Sequence, residues 1–138
     1  MSAELPLVLC LDEDWRTLEM VAHAMATLPV RCLTADTPAE AIRLAGHHQP
    51  DLLILNLMMP GLTGWEVLER IRTTVATSEM RVVVLSAKDT RVERLVATNV
   101  ARADVFMSQP FDPPELTQHV MRLLQPHLAH TPRAAQST

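Results

Sequence analysis

Polar residues follow the apolar runs of this 138-residue chain at regular intervals. The acidic pair Asp12 and Glu13 comes after the first run, Asn56 closes the third, Ser86 follows the fourth, and Gln109 follows the fifth. If these runs are parallel strands, the residues lie at the carboxyl ends of the strands, where ligand chemistry collects in open α/β sheets. The sequence therefore predicts a single polar site at one edge of a sheet.

The elements that would position this site alternate along the chain. Short apolar runs are separated by longer amphipathic stretches, a pattern typical of strands and helices in a parallel α/β domain. The predicted strands cover residues 5–11, 30–34, 51–56, 81–85 and 104–108. A predicted helix follows each strand, and N-terminal caps are offered by Asp14, Thr37, Thr90 and Asp112. Thr37 and Glu40 predict a capping box, and the helix after them should end near Gly46.

Composition and charge exclude several functional classes. The chain is 48% hydrophobic and 20% charged, as expected for a globular protein. A net charge of −4 is unlike that of a nucleic-acid-binding surface, and no apolar run approaches the roughly 20 residues that span a bilayer. The amino terminus lacks a basic leader, so we expect a cytoplasmic protein with Cys10 and Cys32 as buried free thiols.

The pattern predicts a single domain. We expect it to cover residues 1–128, with residues 129–138 forming a flexible tail or the beginning of a linker, because they are small and polar.

The strand-end motifs resemble those of bacterial response-regulator receiver domains, over nearly the whole chain. That family keeps an acidic pair where this chain has Asp12 and Glu13, a hydroxyl residue at Ser86, and a Lys-Pro pair at Gln109-Pro110. The resemblance implies an α/β, doubly wound five-stranded parallel sheet of order 2-1-3-4-5, flavodoxin-like and CheY-like, with helices on both faces. It also implies a cis peptide bond before Pro110.

The family's phosphoacceptor aspartate corresponds to Asn56 in this chain. Phosphoryl transfer requires a nucleophilic carboxylate, and an amide oxygen is a poor nucleophile, so we expect no acyl phosphate here. Mg²⁺ prefers anionic oxygen ligands, so a site limited to Asp12, Glu13 and a carbonyl of Met58 should bind it weakly, if at all. The resemblance also implies that Gln109 replaces a lysine, and we expect its amide to bond that of Asn56.

Three further positions relate to the family pattern: Ser86, Phe106 and Arg102. Ser86 and Phe106 stand where the family has its switch residues, although a strand-end cap and a core aromatic would explain them equally well. Arg102 stands where the family tends to have glycine, and it should adopt a positive φ unless the turn is rebuilt.

The favoured hypothesis is a binding module, not an enzyme, that signals by docking. The partner would be a histidine kinase, an output domain or a second copy in a homodimer. The fourth helix, fifth strand and fifth helix would form the docking face, which we expect to present Arg91, Arg94, Thr98, Arg102, Asp104, Gln118 and Arg122. Charged rims of this kind favour specific, reversible contacts.

The sequence leaves alternatives open. The chain could be a conventional phosphoacceptor whose aspartate was replaced by engineering, although the second change at Gln109 argues against that. Asp12 or Glu13 could accept the phosphoryl group, or the chain could be a regulatory domain cut from a larger DNA-binding or kinase protein. A small ligand in the altered pocket is a further possibility, and the two carboxylates argue against an anion.

Overall fold

The apolar runs form the strands of one parallel sheet. In the computed structural model, which describes residues 4–57, 64–87, 91–100 and 102–128, the strand order is β2-β1-β3-β4-β5. The strands are β1 (Leu7–Leu11), β2 (Arg31–Ala35), β3 (Leu52–Asn56), β4 (Arg81–Ser86) and β5 (Val105–Ser108). Every pairing between neighbours is parallel, which confirms the predicted fold class and strand order.

Helices connect successive strands. They are α1 (Trp15–Met25), α2 (Pro38–His48), α3 (Gly64–Thr73), α4 (Arg91–Leu95) and α5 (Pro113–Leu128). A short 3₁₀ turn, Val75–Thr77, follows α3, and α4 continues as a π-helical segment, Val96–Val100. None of the helices in the described ranges is long and apolar enough to cross a membrane.

The core has two halves, one on each face of the sheet. Successive strand residues point to opposite faces, so Leu9 and Leu11 pack with α2, α3 and Ala97 of the π-helical segment. Val8 and Cys10 pack on the other face with α1 and α5. Cys10 is a buried free thiol, and its burial raises the pKa of the thiol.

The predicted capping residues act largely as expected. Asp14 accepts from the backbone N–H of Arg16 at 3.0 Å, and Asp112 accepts from the N–H of Glu115 at 3.2 Å. Thr90 lies outside the described residues.

The capping box at α2 is only half formed. Thr37 Oγ1 accepts from the Glu40 N–H at 3.2 Å, but the Glu40 carboxylate accepts from Arg43 at 2.7 Å and 3.1 Å. A charged donor one turn along the helix is a stronger partner than a backbone N–H. The helix also runs two residues past Gly46, to His48, and ends with Gln49 at φ 49° in the left-handed position.

A charged network lies where the amino ends of the strands meet, which we call the amino edge of the sheet. We call it the Arg72 network, formed by Arg72, Arg81, Arg102 and Asp104. Arg72 Nη1 donates to two carbonyls of the turn before β4, and Nη2 donates to the Arg102 carbonyl at 2.8 Å and lies 3.6 Å from Asp104 Oδ2. Arg102 has the predicted positive φ, 61°. Burial lowers the pKa of Arg72, although the charge of Asp104 opposes the shift.

Candidate functional site

The sheet register brings the predicted site residues to one edge. Leu11 pairs with Leu55, Asn56 with Leu85, and Ser86 with Ser108, so the strands end at nearly the same level. Asp12 and Gln109 each follow their strand by one residue, which positions them beside Asn56 and Ser86 at the carboxyl edge of the sheet.

Asp12 is the buried acid of this edge. Asp12 is 2% exposed, and both of its carboxylate oxygens accept hydrogen bonds. Oδ1 accepts from the Asp14 N–H at 2.8 Å, and Oδ2 accepts from Nδ2 of Asn56 at 3.2 Å. Asn56 therefore acts as a neutral hydrogen-bond donor to a carboxylate. An aspartate in its place would put a second negative charge at this distance.

Asn56 does not bond Gln109, contrary to the expected amide pair. The Gln109 Nε2 atom is buried and has no hydrogen-bond partner among the described residues. Hydrogen bonds to a charged acceptor are stronger than those between neutral groups, so the Asn56 amide donates to Asp12 instead. The Gln109 N–H donates to the Ser86 carbonyl at 2.9 Å, which holds the backbone beside the end of β4. The peptide bond from Gln109 to Pro110 is cis, as the resemblance implied.

The second predicted acid lies apart from this arrangement. Glu13 is exposed, whereas Asp12 is buried. Within the described ranges, no group of three or more His, Cys, Asp or Glu residues could hold a metal ion. Carboxylate oxygens are suitable Mg²⁺ ligands, and the weak Mg²⁺ site expected at Asp12 and Glu13 stays a prediction. The Met58 carbonyl considered as a third ligand lies outside the described residues.

The two switch-like residues are both buried. Ser86 is 0% exposed at the end of β4, and Phe106 is 7% exposed within the core half that contains α2 and α3. The Arg94 guanidinium lies 4.8 Å from the centre of the Phe106 ring, and Arg94 Nη1 donates to the Phe106 carbonyl at 3.3 Å. The sequence predicted only a surface position for Arg94, because spacing along the chain does not reveal a contact with a strand that follows later.

Gly64 was also missed as a residue that shapes the site. It begins α3 directly against the end of β3, and its N–H donates to the Leu57 carbonyl at 2.9 Å. A Cβ at this position would overlap the Asn56 carbonyl oxygen and the Leu57 backbone. The signal in the sequence was a glycine shortly after the strand that carries Asn56. Glycine is the residue that permits such close backbone approach.

Comparison with known proteins defines the family. Residues 8–121 match the model of the response regulator receiver domain, so the chain belongs to that family. It is 28% identical over 118 residues to the phosphate regulon transcriptional regulatory protein PhoB of Pseudomonas aeruginosa, covering 86% of this chain and 51% of that protein. It is 32% identical over 105 residues to the transcriptional regulatory protein KdpE of Mycobacterium tuberculosis, covering 76% of this chain and 45% of that protein. The chain spans about half the length of the curated relatives it matches.

Solved structures confirm the fold. The chemotaxis protein CheY4 of Vibrio cholerae superimposes with a TM-score of 0.80 at 22% identity, covering 87% of this chain and 99% of that one. The signal receiver domain of a LuxO repressor protein from Vibrio parahaemolyticus gives a TM-score of 0.82 at 21% identity, covering 91% and 94%. The domain is thus a receiver domain of the kind found in two-component response regulators.

Proposed function

We propose that the chain works as a cytoplasmic receiver domain that is not phosphorylated at the usual position and signals by docking to a protein. The observation that carries this proposal is the hydrogen bond from the Asn56 amide to the buried Asp12 carboxylate. The receiver unit would comprise residues 1–128, and residues 129–138 would form a tail or linker.

The chemistry of the amide argues against phosphoryl transfer at this position. Attack on phosphorus needs an oxygen with an available, nucleophilic lone pair, and the amide oxygen of Asn56 carries no formal charge. Its nitrogen donates to Asp12, an arrangement suited to holding one carboxylate in place. Asn56 would therefore remain an unmodified, neutral amide and would not form an acyl phosphate.

Weak Mg²⁺ binding is part of the same proposal. Asp12 and Glu13 would hold the ion, which would supply positive charge to this edge of the sheet. Both oxygens of Asp12 already accept hydrogen bonds, so an incoming cation competes with Asn56 Nδ2 and the Asp14 N–H. We expect weak affinity for that reason, and the docking function requires no cofactor.

The docking face would be formed by α4, β5 and α5. Arg94 and Leu95 of α4 are exposed, and Leu95 retains 46% exposure, which gives the face an apolar residue beside positive charge. Arg122 of α5 is exposed and contacts His119 at 2.8 Å. A histidine kinase, an output domain or a second copy of the chain would bind here.

Part of the docking set predicted from sequence has another role. Asp104 accepts from Arg81 and from the Val82 N–H, and the Arg102 carbonyl accepts from Arg72. These contacts place Arg102 and Asp104 in the Arg72 network at the amino edge. We therefore restrict the proposed face to the exposed residues of α4 and α5.

Phosphorylation with a small donor tests the proposal. The unmodified protein and the variants Asn56→Asp and Asn56→Asp/Gln109→Lys would be incubated with Mg²⁺ and acetyl phosphate, and intact masses measured. We expect no gain for the unmodified protein and a gain of one phosphoryl group for the double variant. The double variant restores both the nucleophile and the cation that neutralises developing charge.

The other outcomes separate the alternatives. A phosphoryl group on the unmodified protein, located by peptide mapping to Asp12 or Glu13, would refute the proposal and support an alternative acceptor. Labelling of the Asn56→Asp variant to the same extent as the double variant would show that only the nucleophile was missing. That result would favour the alternative hypothesis, in which the chain is a conventional phosphoacceptor whose aspartate at position 56 was replaced by engineering.

A further inference from the structure

A cleft lies beside Gln109, between α1 and the segments that follow β4 and β5. We call it the Gln109 cleft. Its volume is about 320 Å³, which lies at the lower end of the range for small-molecule sites. The lining residues are Thr17, Met20, Ala87, Gln109, Pro110 and Phe111.

The walls of the Gln109 cleft are mainly apolar and uncharged. Met20 is 45% exposed, although it belongs to a helix whose neighbouring residues build the core, and Phe111 forms the inner wall at 7% exposure. Methionine side chains adapt readily to different ligand shapes. None of the described lining residues carries a charge, so an ion in the cleft would lose hydration without gaining an ionic partner. The cleft therefore favours an uncharged occupant.

Gln109 and Thr17 are the two polar residues among the described lining of the cleft, and Gln109 is the one with a buried side-chain atom that lacks a partner. Its Nε2 is buried and has no hydrogen-bond partner among the described residues, and Gln109 is one of the residues that line the cleft. A shielded donor without an acceptor raises the free energy of the folded protein. A ligand that brings an acceptor to this amide would remove that penalty. The backbone N–H of Gln109 is already bonded to the Ser86 carbonyl at 2.9 Å, which fixes the base of the side chain.

We propose that the Gln109 cleft binds a small uncharged molecule that carries a carbonyl-type acceptor and a compact apolar group. The acceptor would receive a hydrogen bond from Gln109 Nε2, and the apolar group would pack on Met20, Pro110 and Phe111. The cleft joins α1 to the ends of β4 and β5. A bound molecule would link these elements and give the domain a chemical input that does not depend on phosphorylation at residue 56.

Three related probes test the predicted ligand chemistry on the unmodified protein. Benzamide has an acceptor and no charge, benzoate has acceptors and a charge, and toluene has neither. In ¹H–¹⁵N correlation spectra, we expect saturable shifts from benzamide at Thr17, Met20, Ala87, Gln109 and Phe111. Benzoate and toluene should bind about tenfold more weakly, as expected for one hydrogen bond or one unpaired charge.

Substitution of Gln109, the hydrogen-bond donor, provides an independent test. Gln109→Leu keeps the size of the side chain and removes the donor, so benzamide affinity should fall about tenfold while toluene affinity stays unchanged or rises. Gln125→Leu is the matched control, because Gln125 is exposed on α5 and does not line the cleft. It should leave both affinities unaltered.

The proposal fails under several clear results. Absence of saturable shifts at the cleft residues with benzamide would refute it, and so would shifts confined to another surface. Equal affinity for benzamide and toluene, or equal benzamide affinity in Gln109→Leu, would refute the role of the amide. If Gln109→Leu does not fold, the comparison of the three probes on the unmodified protein still decides the question. Phosphorylation of the unmodified protein would refute the proposed function alone, because the cleft measurements do not involve it.

Discussion

Each of the two edges of the sheet holds an aspartate that accepts hydrogen bonds, but the edges neutralise it differently. At the carboxyl edge, Asp12 is 2% exposed and accepts from a backbone N–H and from the Asn56 amide, both uncharged donors. At the amino edge, the Asp104 side chain is 22% exposed and lies 3.6 Å and 3.3 Å from the guanidinium groups of Arg72 and Arg81. Ionic pairing is therefore present at the amino edge and absent among the described side chains of the carboxyl edge, where Asp12 and Asn56 lie.

The contrast has a physical basis. Arg72 donates to carbonyls from two separate segments, the turn before β4 and the loop before β5, so its charge serves to join parts of the chain. A cation in a phosphoacceptor site serves to stabilise charge that develops during reaction. At the carboxyl edge, the neutral amide of Asn56 donates to Asp12 without adding a second charge. Four predictions test this contrast, in order of decreasing effect.

The largest effect should come from breaking the Arg72 network. Arg72→Met keeps much of the side-chain volume but leaves three carbonyl groups and Asp104 without their donor. We expect the free energy of unfolding, measured with urea, to fall by about 3 kcal/mol. Arg81→Met is the control, because its side chain is 49% exposed, and it should cost less than about 1 kcal/mol. Equal losses would show that the network does not depend on Arg72, the less exposed of these two arginines.

A steric change at the opposite edge should come next. Gly64→Ala would force the start of α3 away from the Asn56 carbonyl and the Leu57 backbone, and we expect a loss of about 2 kcal/mol. Gly46→Ala is the matched control, because no atom lies within 4 Å of the added methyl group and the site is helical. It should stabilise the protein by about 0.5–1 kcal/mol. A Gly64→Ala variant as stable as the parent would refute the close packing of β3 and α3.

The sequence predicted the strands that form both edges better than the side-chain contacts made there. Buried runs such as Leu52–Asn56 have a strong local signal, and the parallel order then places Asn56 near Asp12 without further information. Which donor reaches the Asp12 carboxylate depends on side-chain direction, which the pattern does not contain, so the predicted bond between Asn56 and Gln109 was wrong. The Arg72 network joins residues 72 and 104, and no periodicity connects positions so far apart.

The third prediction adds a charge to the carboxyl edge. Asn56→Asp places a second carboxylate where Asn56 Nδ2 now lies 3.2 Å from Asp12, so the pKa of the introduced carboxyl should rise above its usual range. A raised pKa means that the folded state is penalised above that pKa. We therefore expect a loss of about 1.5 kcal/mol at pH 7 that begins to shrink as the pH falls through the pKa of the introduced group in the folded protein, and that disappears below its lower pKa in the unfolded chain.

Urea unfolding of the Asn56→Asp variant at pH 7 and pH 4, with and without Mg²⁺, measures this effect. Mg²⁺ should reduce the loss, because a divalent cation between two carboxylates binds only the folded state. Asn56→Ala is the control without charge: it removes the hydrogen bond to Asp12, and its loss of about 1 kcal/mol should not depend on Mg²⁺. A loss in Asn56→Asp that is the same at both pH values would contradict the neutral-donor interpretation of this edge.

The smallest effect should come from the mirror change at the amino edge, Asp104→Asn, which removes a charge from the Arg72 network. An amide oxygen can still accept from the Val82 N–H, which now donates to Asp104 Oδ2 at 2.7 Å, so the loss is limited to the ionic attraction and the hydrogen bond from Arg81. Because the Asp104 side chain is 22% exposed, solvent screens the ionic attraction, and we expect a loss of about 1 kcal/mol at low salt. The loss should shrink in 1 M salt, where screening acts over about 3 Å.

The losses caused by Asp104→Asn and Arg81→Met should be less than additive when the two substitutions are combined, since Arg81 Nη1 donates to Asp104 Oδ1 at 3.3 Å. Strict additivity, or a loss as large as that of Arg72→Met, would mean that the two edges do not differ in how they neutralise an acid.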